Sequence, residues 1–189
     1  MAPDVAATTA AREDAELMRR VQTGDEVALG ELMQRWELPV KAVVGRIVLN
    51  ASEAAELAQE AFVRLWQQRG KYRADAPFRP WLFAIAVNLA RNRLRWWRSR
   101  PEVALEEWTE PSGDSGGGAR SAEMAERAAA VRDAIAALPT DLREALVLFE
   151  YEQMSQAEIA LVVGASPKAV ETRIHRAREQ LRTRLKAWE

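Results

Sequence analysis

Apolar residues recur at steps of three and four along almost the whole chain, and no stretch alternates apolar and polar positions over the length of a strand. This spacing is the repeat of one helix face, so the pattern predicts an all-α fold. Pro39 is expected to interrupt or kink the second helix. The predicted helices are 13–23, 26–48, 53–69, 78–98, 121–137, 141–151, 156–163 and 167–188.

A Gly- and Ser-rich segment, 110–119, separates the first four predicted helices from the last four. Such residues lose much conformational entropy on ordering, which favours a flexible linker. The parts on either side are each long enough to fold alone. We therefore predict two small helical domains joined by this linker: a loose tail at 1–12, an N-terminal domain at 13–100, an acidic linker at 101–121 and a C-terminal domain at 122–189.

The stretch from Ser155 to Pro167 carries the signals of two helices joined by a tight turn. Ser155 and Glu158 have the spacing of a capping box. Gly164 suits the end of the first helix, Ser166 can cap the second, and Pro167 fits its first turn. Two helices joined in this way are the layout of a DNA-binding helix-turn-helix, which we predict for the C-terminal domain.

The second helix of this motif has one apolar stripe and a mostly basic remainder. Val170, Ile174 and Ala177, followed by Leu181 and Leu185, are predicted to be its core positions. An isolated basic helix is more often a solvated charged face, but the cap, the turn and the preceding helix favour DNA binding here. The predicted contacts to bases and phosphates are Lys168, Glu171, Thr172, Arg173, His175, Arg176 and Arg178.

The predicted helix 78–98 starts apolar and ends basic and aromatic. Trp81, Leu82, Ile85 and Leu89 are expected in the core. Amide and guanidinium groups on another face can bond bases or phosphates, and a basic, aromatic loop before the helix suits unstacked single-stranded bases. The alternative is that Tyr72, Phe78 and Trp81 are ordinary core aromatics. The candidate DNA contacts are Lys71, Tyr72, Arg73, Asn88, Arg91, Asn92 and Arg95.

The predicted helix 53–69 has an acidic face opposite a core face. Leu57, Ala61, Phe62 and Leu65 are expected to pack inward. Acids repel phosphate, so the other face should point away from DNA and could dock a basic protein. An acidic solvated face is the commoner explanation of such a pattern alone. The candidate docking residues are Glu53, Glu56, Gln59 and Glu60.

The distribution of charge supports two nucleic-acid surfaces although the net charge is −1. Residues 79–100 hold six arginines and no acid, and residues 168–186 hold seven Lys or Arg against two acids. Residues 101–138 hold eight acids against three arginines. Two basic stripes therefore coincide with the two candidate DNA surfaces, on either side of an acidic middle.

Composition and motifs exclude most catalytic chemistry. The chain has no cysteine, and its one histidine, His175, lies in a basic helix without the pattern of a triad or metal site. Gly116–Gly118 lacks the Lys-Ser or Lys-Thr of a phosphate loop. We therefore predict neither an enzyme nor a bound cofactor or metal.

Targeting signals are also missing from the sequence. The longest apolar run, 81–87, has seven residues, against about 20 needed to span a bilayer. The first dozen residues lack the basic start and apolar core of a signal peptide. We expect a cytoplasmic protein without membrane insertion.

These stretches, in this order, resemble the extracytoplasmic-function (ECF) group of bacterial RNA polymerase sigma factors. The chain departs from the family pattern at Ala55, Asn92, Trp96, Trp97 and Glu171, which leaves the promoter sequence open. The matching residues are Glu53, Glu56, Leu57, Gln59, Glu60 and Phe62, then Trp81, Leu82, Ile85, Ala86 and Asn88, and finally His175 to Arg178.

The resemblance implies a role for each stretch. The helix 53–66 would bind the clamp of the largest subunit of core RNA polymerase. The region 71–95 would melt and capture the minus-10 element of promoter DNA, and the helix-turn-helix would read the minus-35 element. The linker would thread through the polymerase, and an anti-sigma factor would restrain the protein.

Two other functions fit parts of the sequence. A conventional helix-turn-helix regulator would bind duplex DNA without core polymerase and use its N-terminal helices to sense a ligand or dimerise. That reading does not explain the Asn-bearing basic helix beside an aromatic loop. A structural or adaptor protein would show no salt-sensitive DNA affinity.

Overall fold

The computed structural model describes residues 5–73, 75–100 and 119–186. These residues form eight α-helices and one short 3-10 helix, Arg69–Lys71, which confirms the all-α prediction. Most of the predicted linker, 101–118, lies outside the described residues. The helices are α1 Val5–Gln22, α2 Glu26–Val48, α3 Ala51–Gln67, α4 Phe78–Arg98, α5 Ala119–Ala136, α6 Thr140–Glu150, α7 Gln156–Val163 and α8 Pro167–Leu185.

Side-chain caps fix where α2 and α3 begin. The Asp25 carboxylate accepts a hydrogen bond from the Ala28 N–H at 3.1 Å, and the Asn50 side chain accepts one from the Glu53 N–H at 2.9 Å. The bond from Ala28, together with the Arg20 guanidinium, lowers the pKa of Asp25. Each cap satisfies a donor that has no partner inside its helix.

Helix α1 begins at Val5, so the prediction of a loose tail at 1–12 is wrong from that residue onward. Residues 1–4 lie outside the described part. Four of the first seven residues of α1 are alanine, which has the highest helix propensity. The helix propensity of these alanines therefore extends α1 to residues before the apolar pattern from which its start was predicted.

Helix α2 continues through Pro39 to Val48, so the predicted interruption does not occur. Ala28 and Leu32 before the proline are buried, as are Val40 and Val43 after it. Burial of both halves of the helix against the same core offsets the free-energy cost of the backbone hydrogen bond that proline cannot donate.

The core of the N-terminal helices lies between α2, α3 and α4. The four α3 residues predicted to pack inward are all buried. On α4, Leu82 is fully buried, and Trp81, Ile85 and Leu89 are half-buried against the same cluster. The Trp36 ring meets the fully buried Phe83 ring edge-on, with centroids 6.0 Å apart.

Helices α6, α7 and α8 bury their own apolar faces and also pack against the N-terminal helices. Val170, Ile174 and Ala177 are buried, which confirms the predicted stripe of α8. One continuous apolar cluster includes Val87 of α4 and Ile159 of α7. No helix in the described ranges is long and apolar enough to cross a membrane.

A buried arginine joins α6 to α2. Arg143 donates a hydrogen bond to the Ile47 carbonyl at 2.7 Å and another to the Leu138 carbonyl at 2.9 Å. Burial lowers the pKa of Arg143. Ile47 lies in the last turn of α2, where carbonyls lack partners within the helix, so this cation complements the negative helix end.

Helix α1 holds the loop that precedes α4. The Gln22 side-chain amide donates to the carbonyls of Arg69 at 3.1 Å and Tyr72 at 2.8 Å. The Tyr72 hydroxyl donates to the Ala76 carbonyl at 2.7 Å. These bonds order the loop and thereby set how the chain enters α4.

Candidate nucleic-acid interface

The helix-turn-helix has the local geometry that the sequence predicts. The Glu158 N–H donates to Ser155 Oγ at 3.2 Å, and the Ser155 N–H donates to Glu158 Oε2 at 2.8 Å, forming the capping box. Gly164 has φ +66°, a left-handed conformation that glycine adopts without steric cost. Ser166 Oγ accepts from the Ala169 N–H at 3.2 Å, and Pro167 starts α8.

The first two turns of α8 present a polar surface to solvent. We call Lys168, Glu171, Thr172 and His175 the α8 face, because their spacing places them on one side of the helix, opposite the buried Val170 stripe. All four are exposed. Lys168 Nζ lies 2.9 Å from Glu171 Oε2, an exposed pair with little cost to separate.

The other predicted contacts on α8 differ in their surroundings. Arg176 is exposed. Arg178 is exposed and pairs with Glu150 of α6 at 2.7 Å. Arg173 is turned toward α6, where its half-buried side chain lies 3.6 Å from Asp141. Arg173 therefore belongs to the edge of the α8 face rather than to its centre.

The predicted polar face of α4 consists of Asn88, Arg91, Asn92 and Arg95, which we call the α4 face. Asn88, Asn92 and Arg95 are exposed, and Arg95 donates to the Asn92 side chain. Arg91 is half-buried because it forms an ion pair with Glu144 of α6. That hydrogen-bonded carboxylate raises the pKa of Arg91.

The loop before α4 corrects one prediction. Lys71 and Arg73 are exposed, and Arg73 pairs with Asp75 at 2.9 Å. Tyr72 is only 3% exposed, and its ring packs 5.1 Å from that of Trp81. The prediction that Tyr72 stacks on bases is therefore wrong for this conformation, because the ring has no open face. Burial also raises the pKa of Tyr72.

Two acidic residues of α3, Glu56 and Glu60, border a groove shared with α4. Glu56 and Gln59 are exposed, whereas Glu60 pairs with Arg64 at 2.6 Å and Glu53 pairs with Arg93 of α4. The groove also contains Leu57, Leu89 and the partly exposed ring of Trp96. Its lining also includes Arg64, Asn92 and Arg93, so two acids, two arginines and one amide surround an apolar floor that suits an amphipathic protein partner.

Family models match both parts of the chain that carry these faces. The description "Sigma-70 region 2" matches residues 32–100, and "Sigma-70, region 4" matches residues 128–181. The RNA polymerase sigma-H factor of Pseudomonas aeruginosa is 36% identical over 179 residues, covering 89% of this chain and 92% of the relative. The ECF RNA polymerase sigma-E factor of Escherichia coli is 32% identical, with 89% and 92% covered.

The chain belongs to the ECF group of RNA polymerase sigma factors. An ECF sigma factor is a DNA-binding initiation factor that directs RNA polymerase to promoters. This function accounts for both matched regions. A regulator that acts without polymerase would account for the C-terminal region but not for the match to region 2.

Two solved structures resemble this ECF sigma factor along most of its length. CnrH in complex with the cytosolic domain of CnrY has a TM-score of 0.71 and 30% identity, covering 93% of this chain and 98% of that one. RpoE of Bartonella quintana, in complex with the anti-sigma factor NepR, has a TM-score of 0.66 and 20% identity, with 83% and 96% covered. The second likeness concerns the fold alone.

Sequence reasoning missed the contacts that join the two parts of this sigma factor. Arg79 pairs with Glu152 at 3.0 Å, and Arg91 pairs with Glu144 at 2.5 Å. Glu144 was not among the candidate residues, although a charged residue in the run 142–149, which is apolar apart from Arg143 and Glu144, is a signal for a buried partner. In the described residues, no cluster of three His, Asp or Glu side chains could hold a metal ion.

Proposed function

We propose that this sigma factor reads the minus-35 element with the α8 face and captures the minus-10 element with the α4 face. The observation that carries the proposal is that one chain presents two separate polar faces with base-competent side chains, exposed except at Arg91 and each backed by a buried apolar stripe. Asn, Arg, Lys and Glu side chains can each pair with base edges. The two domains proposed are 13–100 and 122–189, joined by the linker 101–121.

We further propose that Glu53, Glu56, Gln59 and Glu60 bind core RNA polymerase through the groove between α3 and α4. The support is the acids and the amide on α3 beside the apolar residues of the groove, which suit a partner with basic and apolar side chains. An anti-sigma factor is proposed as a second protein partner, since both similar solved structures are complexes and the partner in one of them is the anti-sigma factor NepR. The protein would act in the cytoplasm, where polymerase is, and would catalyse no reaction of its own.

A run-off transcription assay on genomic promoter fragments tests the whole assignment. Core bacterial RNA polymerase alone is compared with polymerase plus this protein. Transcripts that start at defined promoters and require the protein would support the two-element assignment. Stable DNA binding without association with core polymerase would contradict it.

Replacing Glu171 by lysine is expected to change the base preferred at one position of the minus-35 element. Glutamate accepts a hydrogen bond from cytosine N4, whereas lysine donates to guanine O6 and N7. The cytosine-to-guanine preference should shift by roughly 5- to 150-fold, since such contacts discriminate by about 1–3 kcal/mol. Selection of bound duplexes from a library randomised at the minus-35 element measures the shift.

Glu179→Lys is the matched control for this substitution. It makes the same charge change on the same side of α8, two turns farther from the helix start. It should raise affinity for all duplexes at low salt without changing base preference. An identical base preference in Glu171→Lys and the wild type would remove Glu171 from the proposed reading surface.

Replacing Asn88 by alanine is expected to reduce open-complex formation by about tenfold, because one base-edge hydrogen bond is lost. Binding to the duplex minus-35 element should be unchanged. Permanganate reactivity of thymines in the minus-10 region measures strand opening, and Gln67→Ala, an exposed amide on α3, is the control. Full permanganate reactivity in Asn88→Ala would refute its role in capture.

A further inference from the structure

The loop before α4 is held by the last residue of α1. The Gln22 amide uses both of its hydrogens on this loop, since Nε2 lies 3.1 Å from the Arg69 carbonyl oxygen and 2.8 Å from the Tyr72 carbonyl oxygen. Gln22 precedes these residues by 47 and 50 positions, and it lies before the stretch 32–100 that matches region 2. Because hydrogen bonds are directional, the two bonds fix the loop backbone relative to α1.

Helix α1 is a firm support for this amide. Met18 and Val21, in the turn before Gln22, are fully buried. Asp14 is also buried, and its carboxylate accepts hydrogen bonds from the Arg35 guanidinium at 2.7 Å and from the Trp36 indole N–H at 3.1 Å. Pulling α1 away would break these bonds to a buried charge, which is costly. The core of the N-terminal helices therefore sets the position of Gln22.

The two carbonyls held by Gln22 lie on either side of exposed cations. Lys71 lies between Arg69 and Tyr72, and the Tyr72 carbonyl belongs to the peptide bond that leads to Arg73. The Tyr72 side chain is buried, whereas Lys71 and Arg73 are exposed. Arg73 pairs with Asp75 at 2.9 Å, but this exposed pair has little cost to separate. Gln22 thus fixes the backbone from which both cations reach into solvent.

We propose that Gln22 is a positioning residue for capture of the minus-10 strand, because it holds Lys71 and Arg73 in the arrangement that binds the phosphates of that strand. Gln22 acts through the loop and does not itself touch DNA. The inference rests on the proposed assignment of these two cations to the minus-10 element. A loop that is ordered beforehand loses less conformational entropy when it binds the strand, so it favours strand opening.

The test measures strand opening by holoenzyme assembled from core polymerase and the full chain, on a promoter with a fluorescent base analogue in its minus-10 element. The dependence of the rate on holoenzyme concentration separates initial binding from opening. Gln22→Glu keeps the shape of the side chain, but a carboxylate cannot donate to the two carbonyls. Opening should slow by about tenfold, because both bonds are lost, while initial binding stays within about twofold of the wild type.

Two further variants control for the added charge. Gln34→Glu makes the same change at an exposed position on α2 and should open DNA at the wild-type rate. Gln22→Ala removes the two bonds without adding charge and should slow opening by about fivefold. Far-UV circular dichroism establishes that each variant is folded. A wild-type opening rate in either Gln22→Glu or Gln22→Ala would overturn the proposal.

A double-mutant cycle shows whether Gln22 acts through the loop. Lys71→Ala/Arg73→Ala should itself slow opening, because two phosphate contacts are lost. Adding Gln22→Glu to this variant should slow opening by less than about twofold further, since the groups that Gln22 positions are already missing. A general loss of structure would instead slow opening equally with and without the two cations. That result would overturn the positioning role.

The same variants keep this inference distinct from the proposed function. Wild-type opening in Lys71→Ala/Arg73→Ala would overturn the assignment of the two cations to the minus-10 element, and the role of Gln22 with it. Slow opening in that variant together with wild-type opening in Gln22→Glu would overturn the role of Gln22 alone.

Discussion

Replacing both Glu56 and Glu60 by arginine is expected to lower the affinity for core RNA polymerase by about 10- to 100-fold. Both carboxylates border the groove between α3 and α4, and the substitution removes the two acids from a lining that also contains Arg64 and Arg93, which leaves only basic charges there. A basic partner surface would then meet repulsion in place of attraction. Binding of a labelled sigma factor to core polymerase can be followed by fluorescence anisotropy at two salt concentrations. The measurement gives the loss of affinity and shows how far salt screens it.

The fold should survive this double substitution. Glu56 is exposed, and the pair between Glu60 and Arg64 is a surface pair of the kind that contributes about 0.3–0.5 kcal/mol. Glu31→Arg with Glu37→Arg on α2 makes the same charge change on another exposed helix and serves as the control. Wild-type affinity in Glu56→Arg/Glu60→Arg would eliminate this groove as the polymerase-binding surface.

Replacing Phe83 by alanine is expected to lower the free energy of unfolding by about 3–5 kcal/mol, because it leaves a cavity in a core that cannot fully collapse. The Phe83 ring is fully buried and meets the Trp36 ring edge-on. In a chain of this size, such a loss lowers Tm by roughly 6–20 °C. Thermal unfolding followed by circular dichroism at 222 nm, a wavelength sensitive to helix content, measures it.

Trp96→Ala is the matched control, because Trp96 is an aromatic residue on the same helix with 39% of its surface exposed. Its removal should change Tm by far less, since less apolar surface leaves water when the residue folds. Equal losses of Tm in the two variants would mean that the core of the N-terminal helices does not depend on Phe83.

Local features of the fold could be predicted from the sequence because their causes lie within a few residues. Helices α2, α4 and α7 have the predicted limits, and the Ser155 capping box and Gly164 turn form as expected. Helix α3 begins at Ala51, earlier than predicted, because Asn50 caps it. Side chains near the ends of helices therefore carried more information than apolar spacing alone.

Contacts between distant parts of the chain could not be predicted from periodicity. Arg91 and Glu144 are far apart in sequence, so the apolar spacing around each residue does not show that the two form an ion pair. The placement of Tyr72 could not be predicted for the same reason. An aromatic residue in a polar loop can either stack on a base or pack in the core, and the contacts with Trp81 and Phe78 place Tyr72 in the core. The candidate faces followed from the sequence, but their accessibility depended on tertiary structure.

The Gln22 side chain has a consequence for how the protein resists proteases. Arg69 and Lys71 lie close together in the loop before α4 and are both potential sites for trypsin. Cleavage requires a segment that can detach and extend into the protease, and such local opening is resisted by backbone hydrogen bonds. Because Gln22 binds the Arg69 and Tyr72 carbonyls, α1 protects this loop, and cleavage there reports the detachment of α1 rather than the flexibility of the loop itself.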